Sequence, residues 1–194
     1  MSEESMNKKV EYMLRMSAEE LKDALPRTLD EIRRYGTVRM LEEVPDLLSK
    51  IIGKLVAVDA AKLLGEVPGV SDKFMDLLWE GIGTLAAKSE ELRSALERTT
   101  REIHVNLEAS DSPLRGHFTV SQGKLSGSSE LLHFKEEDFK YMGPTEILLQ
   151  LLTAELAMGS SNLRLQTAGH SGWASLLAPI LRGISQLIRG NPAS

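Results

Sequence analysis

A chain of 194 residues, 42% hydrophobic and 26% charged, is long enough to bury a sizeable core and has the composition of a globular protein, not a disordered one. Its formal charge of -5 argues against a general binder of nucleic-acid backbone, whose affinity comes from Lys and Arg neutralising phosphates. The lack of Cys removes disulfides, thiolate metal sites and cysteine nucleophiles together.

The segment Met1–Lys9 lacks the basic stretch and apolar run of a signal peptide, so a cytoplasmic location is expected. The longest apolar runs, such as Ile51–Val58, are cut by charges well short of the roughly 20 residues that span a bilayer, and no transmembrane segment is expected. Up to about Leu96 the chain reads as successive helices. Ser17 with Glu20, and Thr28 with Glu31, have capping-box spacing, in which hydroxyl and carboxylate satisfy free N–H groups of a first turn. Pro26, Gly36, Pro45 and Pro68 mark the expected breaks. The sets Leu47, Leu48, Ile51, Ile52, Leu55, Val58 and Phe74, Leu77, Leu78, Ile82, Leu85 recur at three- and four-residue steps, as helix packing stripes do. Gly81 and Gly83 inside the second set predict a close crossing by a neighbouring element, since each otherwise costs about 1 kcal/mol relative to Ala.

Beyond Arg101 the period changes to two. Ile103, Val105 and Leu107 alternate with His104, Asn106 and Glu108, which predicts a half-buried strand. Turn residues at Asp111-Ser112-Pro113 lead to a second strand over His117–Val120. Gln122-Gly123-Lys124 turns the chain toward a third, Leu131–Phe134, in an antiparallel meander. Lys135–Met142, with its carboxylates first, predicts a short helix broken by Gly143-Pro144. A further helix carries Ile147, Leu148, Leu151, Leu152 and Met158, and a last strand covers Leu163–Thr167. The final helix, Trp173 to about Ile188, is apolar over most of its circumference, so burial on more than one side is expected, with a kink or break near Ala178 ahead of Pro179. These elements make an α+β fold: a helical domain over 1–86, then, over 87–194, a mostly antiparallel five-stranded sheet with helices on one face.

From about residue 87 to 190 the chain resembles the sterol carrier protein type-two family of lipid-transfer domains. The likeness rests on element order together with Glu137-Asp138-Phe139, the strand residues Leu163 and Leu165, and the turn Gly169-His170-Ser171-Gly172-Trp173-Ala174. His170 stands where the family has Asp or Asn. Two extra residues separate Leu165 from Gly169, and Gly143-Pro144 replaces the usual helix-to-helix join. The resemblance implies an apolar tunnel between sheet and helices, and a fatty acid, acyl-CoA, sterol or related lipid as ligand. Candidates for its lining are Phe118, Val120, Phe139, Met142, Leu148, Leu152, Met158, Leu163, Leu165, Trp173, Leu177 and Ile180. The expected function is non-enzymatic carriage of a hydrophobic small molecule, with the N-terminal helices mediating homodimer or partner contact. The same residues equally describe a filled core in a structural or regulatory interaction protein.

A third reading makes Gly169–Trp173 a hydrolase elbow with Ser171 as nucleophile. It places Trp where the second glycine of G-x-S-x-G belongs, and no Asp, Glu or His follows Ser171 to complete a triad. Ser171 reads better as a turn or helix-capping residue. His104, His117 and His133 fall on neighbouring expected strands without metal-ligand spacing, and His104 and His117 lie in the solvent-facing phase. No metal, cofactor or nucleic acid is expected.

Overall fold

A computed structural model describes residues 3–133, 139–153, 165–169 and 172–190, and the side chains of all of these except 3–5, 173 and 174. Among the described residues seven helices come first: α1 (Glu3–Arg15), α2 (Ala18–Tyr35), α3 (Thr37–Glu43), α4 (Leu47–Ala57), α5 (Ala60–Glu66), α6 (Val70–Ala86) and α7 (Glu90–Glu97). Then follow β1 (Ile103–Ala109), β2 (Arg115–Ser121), β3 (Lys124–Ser128), β4 (Phe139–Gly143), α8 (Thr145–Leu152), β5 (Gln166–Gly169) and α9 (Gly172–Ile188). The fold is α+β, helices first and then a five-stranded, mostly antiparallel sheet.

Ser17 begins α2 with the expected capping box: its hydroxyl accepts from Glu20 N, and the Glu20 carboxylate accepts from Ser17 N at 2.8 Å. Thr28 and Glu31 do not cap anything. They lie inside α2, which runs through Pro26 without ending. A proline inside a helix costs about 3 kcal/mol, and here Leu21, Leu25, Leu29 and Ile32 bury one stripe on both sides of it, so packing overrides the local preference. Gly36, Pro45 and Pro68 do fall between helices. The close crossing expected of α6 is found twice. Gly81 lies against Leu41 and Thr37 of α3, and a Cβ at Gly83 would sit 3.0 Å from the Leu125 carbonyl of β3.

The strand order is β3-β2-β1-β4-β5. β1, β2 and β3 form an antiparallel meander, whereas β4 runs parallel to β1, with Val105 beside Phe139 and Leu107 beside Tyr141. Two expectations fail at this crossover. Residues 131–133 form no strand, and Phe139–Met142 form β4 instead of a helix; Phe134 to Asp138 lie outside the described residues. Phe139, Tyr141 and Gly143 are buried while Lys140 and Met142 are only half so, an alternation that outweighs the helix signal of the preceding carboxylates. Leu132, after β3, lies against the face of the sheet away from the helices. There Asn106, itself buried, donates to Leu132 O at 2.7 Å and accepts from Leu132 N at 3.1 Å.

On the helix side, Ile103, Val105, Leu107, Phe118, Val120, Leu125, Phe139 and Tyr141 are buried. There α6 covers β2 and β3, and α8 covers β1 and β4. The core continues from Met6 in α1 to Ile188 in α9. α9 packs against α4, α6, α7 and α8, which accounts for its apolar circumference; where a kink or break is expected near Ala178 it does not break but runs on through Pro179.

Candidate functional site

The residues expected to line a tunnel occupy both ends of the sheet's helix-facing side, and the two ends differ. At the β2–β3 end, Trp79 of α6 lies with its ring 5.2 Å from that of Phe118. Its indole fills the space above Gly116 and Gly127, where a Cβ on Gly127 would come within 2.7 Å of Trp79 Cγ. Phe118, Val120, Leu177 and Ile180 have 0% of their surface exposed, and Leu148 and Leu152 have 1%. A void that admits water leaves accessible surface on its walls, so none touches the first four residues.

Conditions change toward β4 and β5. Phe139 and Tyr141, two residues apart on one strand face, meet edge-on at 4.9 Å. These two, with Leu151 of α8, keep 4–5% of their surface, and Leu165 is half-buried against the same core. β5 is exposed at every residue. Thr167, which pairs with Tyr141, and Gly169, which pairs with Phe139, therefore stand open to solvent on the side that the neighbouring strand buries. The Tyr141 phenol is the polar group of this end. Burial pushes it up to about 12, because the phenolate would lose water without gaining a cation.

Met142 does not belong to this set. It pairs with Glu108 and Gln166 on the opposite face of the sheet, next to Lys140, which is ion-paired with Glu108. The structure thus brings Phe118, Val120, Phe139, Leu148, Leu152, Leu177 and Ile180 into one core with Leu165 against it, and leaves Met142 out. Met158 and Leu163 lie outside the described residues, as do His170, Ser171 and the side chain of Trp173. Among the described residues the last strand covers Gln166–Gly169, with Leu165 outside it; Leu163 and Arg164 lie outside the described residues. Tyr141 and Thr167 are the contributors that sequence reasoning missed. The signal for Tyr141 was the two-residue alternation Phe139, Tyr141, which the helix expectation over Lys135–Met142 concealed.

Polar chemistry gathers on the other face of the sheet. His104 Nδ1 is 3.0 Å from Thr119 Oγ1, and His117 Nδ1 is 2.7 Å from the Glu130 carbonyl. Both histidines are thereby tied to the sheet or to the segment just after β3, and His133 is exposed. Among the described residues no group of three or more His, Asp or Glu is placed to hold a metal. Two open grooves of about 580 and 550 Å³ flank the Gln122-Gly123 turn. Their rims mix Arg93, Arg101 and Lys124 with Glu97 and Glu102, and they contain none of the residues expected to line a tunnel.

Beside Asp111, the start of α8 is held by a compact network. Thr145 donates through its N–H at 2.8 Å and its hydroxyl at 2.6 Å to the Asp111 carboxylate. Ser112 Oγ lies 2.6 Å from Thr145 Oγ1 and also accepts from Leu114 N at 3.1 Å. This anchors the helix over β1 and β4 and so fixes one wall of the β4–β5 end. No helix among the described residues is long and apolar enough to cross a membrane. No protein-family model and no curated protein matches this chain.

Proposed function

We propose that this chain is a non-enzymatic binder of a hydrophobic ligand carrying a long apolar chain, in the manner of sterol carrier protein type-two domains. The observation that carries the reading is the open β4–β5 end: an apolar wall of Phe139, Tyr141 and Leu151 next to a strand exposed on both faces. Acyl chains gain about 0.8 kcal/mol for each buried CH₂, so such a wall rewards a long chain far more than a compact polar metabolite. The Tyr141 hydroxyl supplies one neutral donor amid apolar groups, which suits a carboxyl, ester or hydroxyl at one end of the ligand. The interior near Phe118 is already filled, so a ligand would sit at the β4–β5 end.

The direct test is native mass spectrometry of the purified chain, together with its melting temperature on addition of long-chain fatty acid. A ligand at 100 times its Kd stabilises by about 2.7 kcal/mol, which is a readily measured upward shift. Absence of both a bound-lipid mass and a shift would sink the proposal. A second reading draws on the filled interior at Phe118, Val120, Leu177 and Ile180. In it the chain is a structural or regulatory interaction protein that acts through its surface, and that same negative result would favour it.

A further inference from the structure

The exposed side of α9 differs in charge from the rest of the molecule. The chain as a whole is at -5, yet after Glu155 it contains no Asp or Glu, while Arg164, Arg182 and Arg189 are all there. On α9 the buried residues Leu177, Ile180, Leu181, Ile184 and Ile188 face the core. Leu176, Pro179 and Arg182 are exposed on the remaining side, and Arg189 is exposed just past the end of the helix. Leu176, at 41% exposure, is one of two large hydrophobic side chains that the described residues leave exposed. Arg182 and Arg189 make no ion pair among the described residues, unlike Arg39 or Lys50, which pair four residues along their own helices.

We infer that this side of α9 is a docking surface for an anionic lipid membrane. A helix side that presents a leucine, a proline and an arginine, with a second arginine just past its end, neither arginine ion-paired among the described residues and no carboxylate on the same element, has the chemistry of an interfacial helix: apolar groups enter the headgroup boundary and cations meet lipid phosphates. Each arginine near an anionic surface is worth about fivefold in partitioning. Two arginines and one leucine give weak, reversible attachment, which lets a carrier leave the bilayer after each visit. The inference rests on the carrier reading for its purpose, while the attachment itself is measured without any ligand.

Flotation of the full chain with vesicles tests it. Vesicles of phosphatidylcholine mixed with phosphatidylglycerol are expected to carry the chain up the gradient, and vesicles of phosphatidylcholine alone are not. Raised salt reverses the attachment through screening. The pair Arg182→Gln and Arg189→Gln lowers partitioning about 25-fold, fivefold for each arginine. The charge-matched control Arg34→Gln, on the exposed side of α2, leaves it unchanged. Equal partitioning of the double variant and the parent chain overturns the inference, as does failure to float with anionic vesicles. Light scattering that finds a dimer abolished by Leu176→Gln assigns the surface to a second copy and also overturns it. If vesicle binding holds while fatty-acid uptake is absent, the carrier reading alone falls.

Discussion

The two ends of the sheet use the same residue types to opposite effect. At the β2–β3 end, glycines on the strands admit a tryptophan from α6, and aromatic packing closes the interior around Phe118. At the β4–β5 end an aromatic pair faces a strand whose residues, Gln166 to Gly169, are too small or too polar to close over it. A packed core and a binding wall are therefore distinguished here less by how apolar they are than by what the facing element brings. The closed end should carry stability, and the open end should tolerate change.

The largest effect is expected from Trp79→Ala. The indole is 1% exposed and touches the Phe118 ring and both strand glycines, so its loss leaves a cavity worth about 3–5 kcal/mol. Denaturant unfolding followed through the midpoint gives the number; a loss below 1 kcal/mol would mean that the closed end does not carry the fold. Gly127→Ala attacks the same contact from the strand. Its new methyl meets both the Trp79 ring and the His117 carbonyl, and overpacking of this kind costs about 1–3 kcal/mol. The double variant Trp79→Ala with Gly127→Ala should cost less than the two single losses added, because removing the ring makes room for the methyl. Additive costs would show that the two positions do not share a contact.

These contacts also explain what the sequence disclosed and what it concealed. Helices at Leu47–Ala57 and Val70–Ala86 were legible because their apolar residues repeat at helical spacing over several turns. The first two strands were legible from alternation. Thr28 and Glu31 misled because a capping box is a local pattern, whereas the burial of Leu21, Leu25, Leu29 and Ile32 on both sides of Pro26 is a tertiary fact. β4 was read as helix because Glu136, Glu137 and Asp138 suit a helix start, and its parallel partner β1 lies some thirty residues away, beyond any local pattern. β3 escaped notice because Lys124-Leu125-Ser126-Gly127-Ser128 carries a single large apolar residue; its glycine is a space for Trp79, which no strand propensity records. At the candidate site, the sequence named the apolar residues but could not say that Met142 faces away from them, since a strand assigns alternate residues to opposite faces and a helix does not.

A change far from either end sets the scale for purely local effects. Ser17→Ala removes the acceptor for Glu20 N and should cost about 1 kcal/mol, with Ser17→Gly costing less. Thermal unfolding of the two variants checks the order. If the cap mattered no more than an exposed polar residue, both would unfold with the parent.

The Tyr141 phenol probes the open end through pH. Its folded value lies near 12, above the ordinary value of 10, so the folded state holds its proton more tightly than the unfolded chain. The contribution is fully present below pH 10 and is lost as pH rises from 10 to 12. Stability of the parent should fall across that window more steeply than that of Tyr141→Phe, which has no phenol there to ionise. Absorbance titration of the two chains assigns the late-titrating phenol. Parallel pH curves would show that water reaches the Tyr141 hydroxyl freely and that the wall is wetter than its burial implies.

The smallest stability effect, and the sharpest separation of packing from binding, belongs to Thr167→Leu. Thr167 is exposed and pairs with Tyr141, so the substitution buries little and should change stability by no more than about 0.5 kcal/mol. On the carrier reading, however, a leucine at this point extends across the apolar wall toward Phe139 and Tyr141 and narrows the way in, so fatty-acid uptake should fall while the unfolding midpoint stays put. The opposite pattern, a clear gain in stability with uptake unchanged, would mean that the leucine has completed an unfinished core. The difference between the two ends would then be one of degree, and the open end would be an edge that the fold leaves short.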